Sequence, residues 1–499
     1  MKKSIDITNN QTIPIASIPE LEYADFLEFN TALMAGEACH CVQYFAYRLP
    51  GAIKLICCLA NDREHNISVS SSLVKPDAHL ASFTRHHFSF HFFEREIHEN
   101  FGLQYTDHPW LKPVRFSYDR ADLQQQIANY PFYHMDSEEL HEVGVGPIHA
   151  GVIEPGHFRF ICNGEQILHL EIQLGYQHRG VEQMMLQKKN LLQRTILAES
   201  IAGDTVVGHT TAFASLWENL CGFTPSEDLV FARTLALEWE RIAIHSGDLS
   251  AIATDIAYQL GSSVFGRLRT PIINAFQEWC GNRLAKSLIR PGYNRFPFTP
   301  ATETVFTRVL NAYWPDYTEM YDRMIDLPSV LARLEKTGVV SREQSLSIGT
   351  VGMGARGSGV ERDIRKSHPY LGYRTMDHNP VVLTSGDVDA RTRLRDLEIR
   401  QSIGYVREMM KNIPPVSQPV TLNETPAPDS FSITLIEGWR GEICHCALTG
   451  PDGELIAYKI KDPSVHNWLA LALAVRNNEI SDFPICNKSF NLSYCGHDL

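Results

Sequence analysis

No two of the 11 cysteines stand three residues apart, so the chain holds no C-x-x-C pair, and the usual zinc and thiol-redox spacings go with it. No apolar run approaches the roughly 18 uninterrupted residues that span a bilayer. Lys2 and Lys3 follow Met1 without an apolar stretch behind them, so no secretory leader is expected. Positive charge is also short: 45 Lys and Arg against 58 Asp and Glu leave a formal net charge of −13. That balance gives a nucleic-acid partner no electrostatic support. An odd, scattered set of thiols without a leader reads as reduced and cytosolic. Contact with a membrane then has to come through partner subunits.

What is present is enough sequence, 499 residues, for two or three domains with sizeable cores. Two C-x-C pairs, Cys39-His40-Cys41 and Cys444-His445-Cys446, raise a metal reading. In a strand, residues i and i+2 share a face, and buried free cysteine is common, so core packing is the expectation.

Residues 1 to about 125 read as a small α+β unit. Ala52–Ala60 and Ile67–Ser70 are expected strands, and His87–His91 alternates in strand fashion. Phe92–Phe101 then turns helical, with Phe93, Ile97 and Phe101 four apart and Gly102 where a helix-ending glycine belongs. Residues 126–145 form an acidic connector. Beyond Gly146-Pro147-Ile148-His149, Phe158–Phe160 and Ile167–Ile172 flank Asn163-Gly164, a hairpin signal. The stretch Leu174–Glu182 reads as a strand end turning into a helix, with His178 and Glu182 presented at the turn.

From about 188 to 340 the pattern is helical, broken by Pro297, Pro300 and the acidic run near Asp316. Glu238, Arg241 and His245, at steps of three and four, share a helix face, for which a surface ion pair is the plain reading. Gly352-x-Gly354-x-x-Gly357 has the spacing of a dinucleotide fingerprint, but no strand–helix unit surrounds it and no Gly-Lys-Ser/Thr follows. Close approach of another backbone, or of a cluster, explains these glycines better. Residues 413–430, with Pro414, Pro415, Pro419, Pro426 and Pro428, form a loop, and strands with one helix around Trp468–Val475 complete the chain.

Phe93 to Phe116, with Glu94-Arg95-Glu96, Phe101-Gly102 and His108-Pro109-Trp110-Leu111, resembles the 30-kDa subunit of respiratory complex I. From residue 146 onward the chain resembles the related 49-kDa subunit and the large subunit of membrane-bound [NiFe] hydrogenases of the formate hydrogenlyase type. Five ordered anchors carry this: Gly146–His149; Gly175–Glu182; Glu238 with Arg241 and His245; Gly281-Asn282-Arg283 with Ile289–Gly292; and Arg356–Gly359 with Asp363–Lys366. The resemblance implies an α+β chain: a 30-kDa-like α+β domain (1–125), the connector (126–145) and a mainly helical hydrogenase-like domain with peripheral strands (146–499).

Two departures from the family pattern bear on chemistry. At the positions of the hydrogenases' four nickel-ligating cysteines this sequence has Ala202, Thr205, Ser464 and Asn467, none a soft thiolate. Counting from the anchors, the His and Tyr with which complex I handles quinone fall on Ile153 and Gly203, and neither can donate a proton. The expected reading is a catalytic-type large subunit of a complex I-like, membrane-associated oxidoreductase without a [NiFe] centre. Electrons would come from an iron–sulphur cluster in a small partner subunit, with quinone one acceptor the resemblance allows, and ion translocation would be coupled to their transfer. The chain itself is expected to bind no cofactor or metal. Arg241, His245 and Arg356 are expected to face the partner's cluster, and His178, Glu182 and His209 are the catalytic candidates. Other expected partners are antiporter-like and quinone-channel-type membrane subunits, at the cytoplasmic face of a bacterial inner membrane. The alternative is a non-catalytic scaffold linking a soluble partner to membrane proton channels.

Overall fold

The computed structural model of the chain describes residues 2–150, 153–417 and 422–499. Strands Cys39–Leu49, Ala52–Asn61 and Asn66–Val74 form an antiparallel meander, and Ile5–Ile7 and Glu20–Leu21 both pair with Asn66–Val74. Helices Tyr23–Leu33 and His91–Phe101 cover one face around Phe26, Tyr44, Phe83, Phe90 and Phe93. The expected strand at 87–91 is instead a 3-10 turn, Phe88–Phe90, running into the second helix. Its alternation has another cause: Phe90 stacks on Phe83 in the core at 4.8 Å, while Phe88 turns out to stack on His91 at 5.1 Å. Gly102 closes the helix in the left-handed region at φ 78°.

The hairpin at Asn163-Gly164 forms as expected, His157–Asn163 against Gln166–Gln173, with the end of the connector, His141–Val145, as its third strand. Five long helices follow: Val206–Leu220, Glu227–Asp255, Gln259–Cys280, Pro300–Ile325 and Val388–Met410. Every residue of the second from Phe231 to Ser246 is buried, so this central helix has no solvent face along that stretch. The break expected near Asp316 is absent. Pro300 stands in the first turn, where its missing N–H costs nothing, and the Thr299 hydroxyl caps it. Pro315 and Asp316 lie inside the helix, which Tyr313, Tyr317 and Tyr321 brace by stacking at 5.0 and 6.2 Å.

At the end of the chain, Ser430–Glu437, Glu442–Thr449 and Leu455–Lys461 make an antiparallel sheet whose fourth strand is Gln11–Pro14. The two middle strands are buried along their whole length, because the sheet is covered on both faces. The C-x-C pairs lie on strands, with Cys41, Cys444 and Cys446 buried and Cys39 half-buried. The expected helix runs Ser464–Ala474, and two short ones not anticipated follow it, Phe483–Phe490 and Tyr494–Asp498. The proline-rich stretch is a loop where described; Pro419 lies outside the described residues. Among the described residues no helix is long and apolar enough to cross a membrane.

The glycine-rich segment does serve close approach. Gly352, at φ +59°, lies against the chain's own turn at 440–441, where an added Cβ would stand 2.0 Å from the Arg440 carbonyl oxygen and 2.3 Å from the Gly441 Cα. Gly352→Ala is therefore expected to cost about 2 kcal/mol or more. Gly404→Ala, inside Val388–Met410 with nothing within 4 Å of the new methyl, should stabilise by about 0.5–1 kcal/mol. Urea unfolding midpoints of the two variants check the contrast; equal midpoints would remove the close-packing argument.

Candidate functional site

The turn Leu174–Glu182 grips the last residues of the chain. The Gly175 and Gln177 amides donate to the two Asp498 carboxylate oxygens at 2.8 and 2.9 Å, and the Arg179 and Gly180 amides to the Leu499 carbonyl oxygen at 2.6 and 3.1 Å. His178 Nδ1 meets the Asp498 carbonyl at 2.8 Å; a carbonyl only accepts, so Nδ1 carries the proton. Glu182, in the first turn of helix Val181–Gln187, accepts from Lys459 Nζ at 2.6 Å and from the Ile460 amide at 2.8 Å. Lys459 also holds Glu96 at 2.9 Å, and Glu96 pairs with Arg115.

His209, one turn into helix Val206–Leu220, is fully buried between two partners. Its Nε2 is 2.9 Å from Asp462 Oδ2 and its Nδ1 is 3.1 Å from His445 Nε2, while His445 Nδ1 is 2.8 Å from the Tyr458 hydroxyl. Burial, with His209 beside it, pushes His445 well below the ordinary imidazole range. Burial would raise the Asp462 carboxyl, but the His209 bond and the Arg440 charge hold it low. An ionised Asp462 accepts the His209 Nε2–H, and a neutral His445 carries one ring proton, on the nitrogen facing either His209 or Tyr458. The four groups make one polarised line through the interior, and the charge of Glu182 reaches its Tyr458 end.

Around Arg440 the structure gathers the positions of interest. Thr205 Oγ1 accepts from Trp439 Nε1 at 3.1 Å and Arg440 Nη1 at 3.0 Å, and its amide bonds the Ala202 carbonyl. Ser464 Oγ accepts the Ser493 amide at 2.9 Å, and Asn467 bridges the Val351 amide and carbonyl at 3.1 and 3.0 Å. Arg440 itself clamps Asp204 at 2.7 and 2.6 Å, and that carboxylate raises the guanidinium pKa against the opposing effect of burial. Arg440, Asp204, Ile153, Gly203, Tyr494 and Cys495 line a cavity of about 530 Å³. The Tyr494 ring is 6% exposed, and its hydroxyl makes no hydrogen bond of good geometry, with the Asn487 side chain beside it. Asp462 stands behind this wall: a methyl on Gly496 would lie 2.7 Å from its carboxyl carbon.

Arg241, His245 and Arg356 converge on one carboxylate. Glu398 accepts from Arg356 Nη2 at 2.5 Å, Arg241 Nη1 at 3.2 Å and His245 Nε2 at 2.8 Å. All four are 0–1% exposed, so the surface-pair reading of this helix face fails: the face is interior. Arg365, paired with Asp363 at 2.7 Å and Glu238 at 3.3 Å, extends the cluster. Glu437, bonded to Arg356 at 2.7 Å, is pushed up to about 7 by burial and then by the Asp363 charge.

Residues 19–126 match the family described as respiratory-chain NADH dehydrogenase, 30 Kd subunit, and residues 261–432 the 49 Kd subunit of the same enzyme. The chain is a fusion of the complex I 30-kDa and 49-kDa families. Hydrogenase-4 component G of Escherichia coli is 24% identical over 78% of this chain and 67% of that protein. Formate hydrogenlyase subunit 5 of the same organism is 25% identical over 80% and 74%. The C/D subunit of NADH-quinone oxidoreductase from Bacteroides fragilis is 28% identical over 70% and 72%. The two matched parts meet beside the ion cluster: Asp62, from the first, pairs with Arg362, from the second, at 3.0 Å, and the Arg362 carbonyl accepts from Arg356.

Of the sequence candidates, Glu182 joins the Lys459 ion chain, His178 holds the Asp498 carbonyl from the same turn, and His209 is the third group of the buried line, next to Asp462. Glu398, Tyr458, Arg440 and Tyr494 were missed in the sequence, and His445 was seen only as the middle of a C-x-C pair. Each contributes through a long-range contact, which no spacing signals. The Glu-x-x-Arg run around Glu437 and Arg440 was the nearest local hint.

Two outcomes follow. Glu398→Ala strips three buried cationic or imidazole donors of their shared acceptor and should cost about 3–5 kcal/mol; a urea midpoint near wild type would show the cluster relaxing without it. Glu240, on the central helix, accepts the Val207 and Gly208 amides at 2.8 and 3.2 Å, and burial pushes it up to about 8 from an ordinary 4.5. A raised carboxyl stabilises the fold fully below its unfolded pKa, and that contribution is lost as pH rises through the folded value. Stability should therefore fall between pH 4.5 and 8, and Glu240→Gln should flatten that slope in thermal unfolding. An unchanged slope would assign it elsewhere.

Proposed function

We propose that the chain is the catalytic-type large subunit of a complex I-like, membrane-associated oxidoreductase, working without nickel. It would take electrons from a small iron–sulphur partner subunit and reduce a small carbonyl acceptor of the quinone kind in the Arg440–Tyr494 cavity. The observation that carries this is the polarised line Tyr458–His445–His209–Asp462 ending behind that cavity. A carbonyl acceptor that gains two electrons takes up two protons. Tyr494, on the cavity's lining, carries a buried phenol without a good hydrogen-bond partner that would give one proton, and Arg440, paired with Asp204, stands on the same lining. With Tyr458 donating to His445, His445 to His209 and His209 to Asp462, the line would pass protons from the Glu182 side towards Asp462.

The donors do not fit a nickel centre. Thr205, Ser464 and Asn467 spend their oxygens on hydrogen bonds, and Ala202 has no donor, whereas such a centre needs soft thiolates. Ile153 and Gly203, the counted places of complex I's quinone His and Tyr, line this same cavity; Tyr494 would take over the lost phenol from another element. Arg241, His245 and Arg356 would act on the partner's cluster through the shared charge of Glu398, and His245→Ala is expected to slow electron transfer from it. Coupling to ion translocation would run through the antiporter-like and quinone-channel-type membrane subunits, at the cytoplasmic face. A scaffold would tolerate Ile153 and Gly203 equally well, but has no use for a buried proton line.

Tyr494→Phe separates the two readings. In the purified complex, reduction of a short-chain quinone should fall at least about tenfold in kcat with KM little changed. Wild-type turnover in that variant, or no quinone reduction by the intact complex, would favour the scaffold. Stoichiometric nickel would overturn both.

A further inference from the structure

A second cavity, of about 320 Å³, lies at the seam between the 30-kDa part and the rest of the chain. Its volume is at the lower end for small-molecule sites. One side comes from the first unit: Phe88, His91 and Trp110, whose ring planes lie within 16–29° of one another, centroids 5.1–6.5 Å apart. The other side comes from the hairpin and the helix Ser464–Ala474, with Leu170, Val465 and Trp468 beside the polar His169, Glu171 and Gln173. The Trp468 ring packs edge-on against Tyr494 at 4.8 Å, so this pair separates the seam cavity from the one described above.

Two groups on its wall bear on a ligand, an imidazole without partners and a guanidinium without an ion pair. His91 is 3% exposed, and neither ring nitrogen has a hydrogen-bond partner. Burial, with Arg95 next in weight, holds its pKa well below the ordinary range, so the ring is neutral and offers one N–H. Arg95, 6% exposed, is fixed by its Nε and Nη2 on the Lys112 and Pro113 carbonyls at 2.8 Å each and stacks over Trp110 at 4.2 Å. Among the described residues it forms no ion pair with a carboxylate. Glu171, the one acid on the wall, is taken by Lys112. Arg95 has two carbonyls and the Tyr130 hydroxyl as partners and feels the Glu99 and Glu171 charges, whereas an imidazole without partners is costly to keep. An anion entering the cavity would give His91 an acceptor and Arg95 an ion pair.

We propose that this seam cavity is a binding site for a flat aromatic carboxylate of one or two rings. The rings of Trp110 and Trp468 and the aliphatic wall hold its apolar body. Arg95 pairs with the carboxylate, and His91 donates to one of its oxygens. With Lys112 and Arg476 also lining the cavity, its charge favours the anion over a neutral analogue. Because the walls come from both halves of the fusion, occupancy would tie them together beside the Trp468–Tyr494 wall.

The probe is 2-naphthoate, titrated calorimetrically into the full chain, with 2-acetylnaphthalene as its uncharged counterpart. The expected result is one site per chain, sub-millimolar, at least about tenfold tighter for the carboxylate. Leu469→Trp, which fills the cavity from a half-buried position on its apolar wall, should abolish binding. His91→Phe, which keeps the stacked ring and removes the donor, should weaken it several-fold. No saturable binding of 2-naphthoate to the wild type at a few millimolar overturns the proposal, as does binding indifferent to Leu469→Trp in a variant of native circular dichroism. Equal affinity for the two probes overturns the role given to Arg95.

Discussion

Glu398 carries more of this structure than any other side chain. It lies on the helix Val388–Met410 and is reached by Arg241 and His245 from the central helix and by Arg356 from the glycine-rich segment. Arg356 then holds Glu437 on the buried sheet, so one carboxylate links four elements distant in sequence. Burying such charges costs several kcal/mol each, which pairing repays only in good geometry. That geometry exists because each guanidinium has other acceptors as well. Arg241 uses the Glu437 and Gly438 carbonyls, and Arg356 the Arg362 carbonyl. The cluster specifies which surfaces of the helices may meet, since any slip would leave a buried charge alone.

The same need accounts for the glycine-rich segment. Arg356 reaches both Glu398 and Glu437 only if the backbone before it comes close to the turn at 440–441, and Gly352 permits that approach. The turn in question carries Arg440. The ion cluster and the Arg440 cavity are thus two sides of one packing solution, joined through the Gly352 contact. A change in the charge on one side has a short, rigid path to the other.

Local signals in the sequence translated well. The hairpin at Asn163-Gly164 and the helix closed by Gly102 reflect contacts within about ten residues, and the turn before Glu182 and the shared helix face of Glu238, Arg241 and His245 were legible as local geometry although their partners are distant. The errors have the same explanation in reverse. Phe88 and Phe90 alternate because one serves the core and the other the seam, which a strand would also require. Pro315 and Asp316 look like a break, but Tyr313, Tyr317 and Tyr321 hold the helix through them. Tertiary packing decided each case. The site was legible only where one element carries it: His209 stood out, while Asp462, His445 and Tyr458 lie more than 230 residues away, His445 and Tyr458 on strands buried at nearly every residue and Asp462 just beyond the second of them.

The chemistry left at Arg440 is hard where the related hydrogenases are expected to be soft. Hydroxyl, amide and guanidinium groups satisfy one another at 2.6–3.1 Å, which makes that region a closed hydrogen-bonded wall and leaves it no vacant ligand. What remains open is the cavity beside it, where Tyr494 has a phenol without a good partner, and the proton line that stops at Asp462 behind the same wall. A fold kept only as a bracket would be expected to fill such a cavity with apolar side chains and to dissolve the line, since three buried polar side chains and a carboxylate are expensive to keep satisfied. Their unbroken hydrogen-bonded continuity is the reason to look for proton uptake here, and Tyr494 is the group on which that expectation turns.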